Sequence, residues 1–279
     1  MKALVGADDR RAERPSAAAP LRELWGKRDL LRALVVRDLR TRYAGSSAGV
    51  FWAVVNPLVQ IAILTTVFSM VLQVRFGAVA AGVPFAVVLA WGLFPWIGFQ
   101  EGLVRATTAL ADSGVLVKRM AFPPEIVLVQ PVLTATVHEC VALALLVVAM
   151  PILGVGLPVT LPLCLLPLAI QVALAVGVGW ILGVLHVYIR DTAQVVVAAL
   201  QAWFYLTPIV YAVESAPKAL RSLLSINPLA GIIVNFRAFA LGEPADWGAL
   251  AWSAAAAALA VAGGAFALSR ARAEIADLV

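Results

Sequence analysis

The sequence predicts an all-α integral membrane protein, and three observations support this fold class. Of its 279 residues, 62% are hydrophobic and only 13% are charged, whereas soluble domains carry about a quarter charged residues. The mean hydropathy is +0.95. Six apolar segments are each long enough to cross a hydrocarbon core of about 30 Å at about 1.5 Å per residue. These segments are residues 50–74, 85–107, 126–150, 161–187, 193–213 and 247–269.

The chain before the first apolar segment divides into two parts. Residues 1–20 are polar, Ala-rich and charged, without the apolar core of a signal peptide, and are predicted to be a disordered cytoplasmic tail. Residues 21–45 are dense in arginine and are predicted to form an amphipathic helix. Residues 46–279 then make up the six-span transmembrane domain.

The predicted helix over residues 21–45 separates apolar from charged side chains. At about 100° per residue, Leu30, Leu31 and Leu34 share one arc and the arginines Arg32, Arg37 and Arg40 lie on another. Such a helix is expected in the inner membrane interface, with its cations facing lipid phosphates. A solvated helix is the alternative, because Asp38 interrupts the apolar pattern.

The positions of the cations predict the orientation. Six spans place both termini on one side of the membrane, and the positive-inside rule makes that side the cytoplasm. Besides the N-terminal segment, the cations of the predicted inner face are Arg105, Lys118, Arg119, Arg190, Arg270 and Arg272. Those of the predicted outer face are Arg75, Lys218, Arg221 and Arg237.

Two connections between spans have distinctive patterns. Residues 111–125 are charged and closed by two prolines, so a short helix capped at residue 112 or 113 is predicted, with Lys118 and Arg119 in its last turn. A helix held between two spans can transmit force from a soluble partner, and a solvated loop is the alternative. Residues 214–246 alternate helix breakers with short apolar stretches, which predicts helices dipping into the outer leaflet or, alternatively, an exposed loop.

Signals for catalysis and metal binding are weak. Residues 45–49 fit G-x-S-x-G but lie between two predicted helices, whereas the nucleophile elbow requires a preceding strand. The His138-Glu139 pair lacks the second histidine of H-E-x-x-H, because residue 142 is alanine. We therefore predict no catalytic or metal site. Ionisable groups within a membrane are functional candidates, so a proton relay through His138 and Glu139 stays open beside a neutral, hydrogen-bonded pair.

The sequence also bears on cofactors and partners. It contains no G-x-x-x-x-G-K-[ST] loop, so this chain is predicted to bind no ATP itself. Transport would then require an ion gradient, a passive path or a separate ATPase. The net charge of +5 reflects membrane topology, and no basic patch with interleaved exposed aromatics predicts a nucleic-acid partner.

Aromatic residues inside the second and fifth apolar segments are candidates for a substrate path. They lie away from the interfacial belts where aromatic residues usually gather. Flat ring faces bind sugar C–H faces and apolar chains with little loss of side-chain entropy. Packing against lipid or other helices is the alternative. The candidates are Trp91, Phe94, Trp96, Phe99, Trp203, Phe204 and Tyr205.

Five stretches of the sequence carry a resemblance to a known family. They are LVVRDLRTRYAGSSAGVFWAVVNPL (34–58), LFPWIGFQEGL (93–103), VLVKRMAFPPEIVL (115–128), VYIRDTAQVVVAALQAWFYLTPIVY (187–211) and INPLAGIIVNFRAFALG (226–242). In this order they resemble the permease subunit of ABC-2-type exporters, in the branch that exports O-antigen, capsule and teichoic acid. The resemblance implies a homodimer in the bacterial inner membrane, paired with two copies of a separate subunit that binds ATP and Mg²⁺.

The resemblance also implies roles for individual residues. A coupling helix that docks on the ATPase comprises Val115, Leu116, Val117, Lys118, Arg119, Met120, Phe122 and Pro123. The interfacial gate helix, residues 30–43, includes Arg32, Arg37, Arg40, Arg42 and Tyr43. Residues 217–241 correspond to a pair of re-entrant outer helices, and the aromatic candidates line the channel. Asp38 departs from the expected gate helix, and His138-Glu139 matches no motif of the family.

The expected function is ATP-driven export of a lipid-linked polysaccharide across the inner membrane, without chemistry performed by this chain. One alternative is an exporter of a small hydrophobic drug or lipid. The other is a secondary transporter that couples to protons through His138 and Glu139.

Overall fold

The computed structural model describes residues 19–43, 51–71, 82–113, 123–213 and 217–278. Within these ranges the chain forms ten α-helices: α1 (Ala19–Gly26), α2 (Arg28–Tyr43), α3 (Phe51–Thr65), α4 (Phe85–Asp112), α5 (Pro124–Ile152), α6 (Leu165–Tyr188), α7 (Thr192–Tyr205), α8 (Lys218–Ile226), α9 (Pro228–Leu241) and α10 (Trp247–Leu278). A π-helical turn (Thr66–Val71) follows α3, and a 3₁₀ turn (Leu161–Cys164) leads into α6.

Four of the described helices are long and apolar enough to cross a membrane. They are Phe85–Asp112, Pro124–Ile152, Leu161–Tyr188 and Trp247–Arg272. The second, third, fourth and sixth predicted segments are therefore confirmed as helices of spanning length. The first predicted segment, 50–74, corresponds to α3 and its π-helical turn, and residues 72–81 lie outside the described ranges.

The helix in the fifth predicted segment is shorter than the sequence suggested. The prediction covered residues 193–213, but α7 has 14 residues and ends at Tyr205, which is about 21 Å of helix. Pro208 explains the early end, because a proline disfavours helical backbone at the residue before it. That residue, Thr207, closes the helix by donating its hydroxyl to the carbonyl of Trp203 at 2.7 Å.

Helix α4 lies at the centre of the bundle, with α5, α6 and α9 packed against it. Most of its side chains are buried, including Leu89, Leu93 and Leu103. Helices α6 and α10 form the most extensive pair. They approach closely at Gly177, where a Cβ atom would lie 2.7 Å from the carbonyl oxygen of Ala260.

The N-terminal segment packs against one end of this bundle. The single helix predicted over residues 21–45 is two helices, α1 and α2, separated at Lys27. Helix α1 contacts α10 and α5, and α2 contacts α5. Two short helices, α8 and α9, occupy the stretch where the sequence predicted short outer helices. Asn227 caps α9 and Gly242, at φ 75°, ends it.

Candidate functional site

Five aromatic side chains from α4 and α7 form what we call the aromatic cluster: Trp96, Phe99, Trp203, Phe204 and Tyr205. Trp96 meets Phe204 edge to face, with ring centroids 5.6 Å apart, and Phe99 meets Trp203 in the same way at 5.6 Å. Tyr205 extends the row, 5.2 Å from Phe204. Edge-to-face contact is a favoured geometry for aromatic rings, so the cluster fixes α7 against α4.

The predicted channel residues differ in exposure. The four that belong to α4 are each at most 7% exposed: Trp91, Phe94, Trp96 and Phe99. Trp203 and Phe204 of α7 are half-buried, and Tyr205 is 66% exposed. The α4 aromatics are thus part of the packed core in this conformation, and the exposed aromatic surface belongs to α7. Trp91 and Phe94 lie on α4 before the residues that form the aromatic cluster.

Polar partners hold the two indoles of the aromatic cluster. Trp96 donates its Nε1–H to Oε1 of Gln100 at 2.7 Å, and Trp203 donates to Oδ1 of Asn227 at 2.9 Å. Asn227 also donates from Nδ2 to the carbonyl of Leu206 at 2.9 Å. Asn227 and Pro228 belong to the predicted helix breakers of residues 214–246, and an asparagine before a proline is a typical start of a helix.

Arg237 of α9 joins three parts of the bundle. It is 7% exposed and donates from Nε to the carbonyl of Val88 at 3.0 Å and from Nη1 to that of Pro208 at 2.6 Å. Its Nη2 donates to the carbonyl of Ile209. Gly92 leaves room for the guanidinium, since a Cβ there would lie 3.0 Å from Cζ. Arg237 therefore supplies donors to the non-helical backbone that follows α7, a role that sequence reasoning missed.

His138 and Glu139 have different partners. Successive helical residues point about 100° apart, and Nδ1 of His138 lies 3.7 Å from Oε1 of Glu101. Nη1 of Arg105 lies at the same distance, 3.7 Å, from that oxygen, as a spacing of four residues on one helix allows. Glu139 is buried and accepts a hydrogen bond from Nε2 of Gln171 at 2.7 Å. The two residues are thus parts of separate polar groups.

The predicted gate helix has a charged contact to the bundle. Arg105 of α4 donates from Nη2 to Oδ2 of Asp38 at 2.6 Å, which links α2 to α4. The aspartate that interrupted the apolar pattern therefore has a partner. The gate-helix cations Arg32, Arg37 and Arg40 are exposed. The side chains of Arg42 and Tyr43 lie outside the described part of the structure.

A second charged contact joins α1, α5 and α10. Arg272 lies 2.6 Å from Oε2 of Glu23 and 3.2 Å from Oε1 of Glu125. The hydrogen bond from Arg272 lowers the pKa of Glu23 below its ordinary value. Together with Asp38 and Arg105, these residues define the charged end of the bundle.

The predicted coupling helix falls largely outside the described residues. Of its members, only Pro123 lies within them, where it is buried and precedes α5. Residues 45–49, which fit G-x-S-x-G, also lie outside. Across the described ranges, no group of three or more His, Cys, Asp or Glu side chains is placed to hold a metal ion.

Four described apolar helices of spanning length, packed around buried polar contacts and an aromatic cluster, define the class as a multi-pass membrane protein. Residues 29–240 match the family model for the ABC-2 type transporter. This match covers more than half of the sequence, and the chain belongs to that family.

Several curated proteins are similar along most of the chain. An O-antigen export system permease protein RfbA from Myxococcus xanthus is 29% identical over 224 residues, covering 78% of this chain and 82% of the relative. A protein of the same name from Klebsiella pneumoniae is 28% identical over 210 residues, 75% of this chain and 79% of the relative. The polysialic acid transport protein KpsM of Escherichia coli is 24% identical over 205 residues, 73% and 78% respectively.

Proposed function

We propose that this chain is the transmembrane permease subunit of an ATP-driven ABC transporter that exports a lipid-linked polysaccharide. The observation that carries the proposal is similarity to O-antigen and polysialic acid transport proteins along 73% to 78% of the chain. The aromatic cluster agrees with it, because rings with hydrogen-bonded indole N–H groups suit sugar faces and apolar lipid chains. The chain itself performs no chemistry.

The proposed architecture has six spans with both termini in the cytoplasm of a bacterial inner membrane. Helix α3 with its π-helical turn would be the first span, and α7 with the residues after it the fifth. Helices α8 and α9 would enter the outer leaflet without crossing it. Backbone that is not helical at this depth requires internal donors. Arg237 and Asn227 supply such donors to the carbonyls that follow α7.

The proposed route for substrate runs beside α7 and is completed by a second copy of the chain. Tyr205 is exposed while the α4 aromatics are packed, so one subunit offers a wall and not a closed channel. Helix α2 would act as the gate helix at the inner face. The contact between Asp38 and Arg105 holds it against α4 in the present conformation.

The partner would be a separate ATP-binding subunit that carries ATP and Mg²⁺ and docks on the coupling helix, residues 115–123. Co-purification of the tagged chain from its native membrane, followed by an ATPase assay, tests this part. A Lys118→Glu/Arg119→Glu variant should lose the partner or its stimulated hydrolysis. Lys27→Glu/Arg28→Glu, which reverses two exposed neighbouring cations of the N-terminal segment, should retain both. A clean preparation without any nucleotide-binding protein contradicts the proposal.

The substrate is tested by deleting the gene in its source organism. We expect the surface polysaccharide to disappear and a lipid-linked glycan to accumulate on the cytoplasmic side, with both effects reversed by the wild-type chain. Unchanged surface glycan together with sensitivity to apolar compounds would favour export of a small drug or lipid. Transport that collapses with the proton gradient while ATP is present would favour the proton-coupled alternative.

A further inference from the structure

A buried polar group joins α4, α5 and α6 beside the aromatic cluster. Glu139 of α5 is 3% exposed and Gln171 of α6 is 2% exposed. Gln171 donates from Nε2 to the carbonyl of Pro95 in α4 at 3.1 Å and to Oε2 of Glu139 at 2.7 Å. Both N–H groups of the Gln171 amide thus have an acceptor. This one side chain therefore links α6 to both α4 and α5.

Two acceptor atoms of this group lack partners among the described residues. They are Oε1 of Glu139 and Oε1 of Gln171. Leaving a buried polar atom unsatisfied costs about 1–3 kcal/mol, and an ionised carboxylate in an apolar site costs more unless a cation offsets it. Gln171 is the hydrogen-bond donor to Glu139, and none of the ion pairs found among the described residues includes Glu139.

A single proton satisfies both atoms. A carboxylic acid and a primary amide form a two-point pair, in which the amide N–H donates to one carboxyl oxygen and the acid O–H donates to the amide oxygen. The first of these bonds is present between Gln171 and Glu139. The second would join the two unpartnered oxygens, with a hydrogen on Oε1 of Glu139 directed at Oε1 of Gln171.

The surrounding backbone is shaped for this group. Pro95 lies inside α4, where proline removes a main-chain donor and disturbs the helix, and Gln171 donates to its carbonyl. At Gly98, a Cβ atom would lie 2.9 Å from Cδ of Glu139, so only glycine leaves space for the carboxyl group. Trp96 and Phe99 of the aromatic cluster flank these two positions.

We infer that Glu139 is a protonated carboxylic acid, paired at two points with the Gln171 amide, and that this pair positions the segment of α4 that carries Trp96 and Phe99. The pair itself is independent of the proposed function. Its role in positioning the substrate wall rests on that function. Glu139 is then a positioning residue that keeps its proton, and it relays none.

Infrared spectroscopy of the purified, folded chain at neutral pH tests the protonation. The spectrum should contain a protonated-carboxyl C=O band that shifts in D₂O and is absent from Glu139→Gln. The matched control, Glu23→Gln, removes a carboxylate paired with Arg272 and should leave this band unchanged. The inference is overturned when the wild type lacks the band, or when Glu139→Gln retains it.

Glycan export by variants of Glu139 and Gln171 tests the positioning role. Glu139→Gln preserves a two-point amide pair and should export at close to the wild-type rate. Glu139→Leu and Gln171→Leu should lose about tenfold or more, because each leaves buried polar atoms unsatisfied. Loss of export in a well-folded Glu139→Gln variant overturns the positioning role. If the wild type exports no glycan, the proposed function fails, while the infrared spectrum still shows whether Glu139 is protonated in its pair with Gln171.

Discussion

Polar side chains at the charged end of the bundle pair with one another, whereas those buried between α4, α6, α7 and α9 also bind main-chain carbonyls. At the charged end, Asp38 pairs with Arg105 and Glu23 with Arg272, and these four side chains are between 23% and 41% exposed. Arg272 also contacts the buried Glu125 at 3.2 Å. In the interior, Arg237 and Gln171 are at most 7% exposed and donate to carbonyls of Val88, Pro208, Ile209 and Pro95.

The two kinds of contact differ in the free energy needed to break them. Solvent-accessible ion pairs contribute about 0–1 kcal/mol and weaken with salt. Each buried carbonyl that loses its donor costs about 1–3 kcal/mol. The ion pairs thus add little to the attachment of α1 and α2, while the buried hydrogen bonds hold α4, α6 and α9 together as a fixed frame. A gate helix requires this combination.

The largest expected effect is at Arg237. Arg237→Met leaves the buried, non-helical carbonyls of Pro208 and Ile209 without a donor and removes a further hydrogen bond to Val88. The free energy of unfolding should therefore fall by about 3 kcal/mol or more. Thermal unfolding in detergent, followed by tryptophan fluorescence, measures the change. Arg190→Met, at an exposed arginine, is the matched control. Equal unfolding midpoints for the two variants would contradict the distinction between the fixed frame of α4, α6 and α9 and the weaker contacts of the charged end.

The next effect is at the contact of α6 with α10. Gly177→Leu places a side chain against the backbone of Ala260, and overpacking of this kind costs about 1–3 kcal/mol. We expect a lower unfolding midpoint and reduced recovery from the membrane. Gly156→Leu is the control, because a Cβ at Gly156 meets no atom within 4 Å. Similar recovery of both variants would contradict the close packing.

A smaller effect is expected for the contact of α2 with α4. A double-mutant cycle with Asp38→Asn and Arg105→Gln should give a coupling free energy below about 1 kcal/mol that falls further in high salt. Unfolding midpoints at two salt concentrations provide the measurement. A coupling free energy of several kcal/mol would contradict the account, because the contact of Asp38 with Arg105 would then be as strong as the buried contacts of the fixed frame.

The smallest effect concerns the contact of α1 with α10. Because Arg272 lowers the pKa of Glu23 from its ordinary value of 4.5, the contact stabilises the folded state above that value. Its contribution is lost as the pH falls through the lowered pKa. Hydrogen exchange of α1, corrected for intrinsic rates, should therefore show weaker protection below that value. Glu23→Gln should show the weaker protection at neutral pH as well.

The long spans could be predicted because length and apolar composition alone determine them. Four predicted segments correspond to described helices of spanning length, and the ion pair of Glu101 with Arg105 joins residues four apart on one helix. These features depend on local sequence, so periodicity and composition were sufficient.

Other features depend on contacts between distant residues. The end of α7 at Tyr205 reflects Pro208 together with donors from Asn227 and Arg237, and neither donor is adjacent to it in sequence. His138 and Glu139 suggested a shared role because they are neighbours, yet their partners lie on different helices. The partner of Asp38 is 67 residues away. The roles of the aromatic, gate and coupling residues stay predictions.

The proposed function requires that ATP drive glycan export by moving α2 away from a fixed frame. Its most direct test uses Asp38→Cys/Arg105→Cys, with Cys140 and Cys164 replaced by alanine. The complex with its ATP-binding subunit is placed in vesicles, and a bifunctional thiol-reactive cross-linker with a reducible disulfide in its spacer joins the two cysteines. ATP-dependent delivery of a lipid-linked glycan should stop on cross-linking and return after reduction, while the reagent leaves the single Asp38→Cys variant active. Delivery that continues with the pair fully cross-linked would contradict the account.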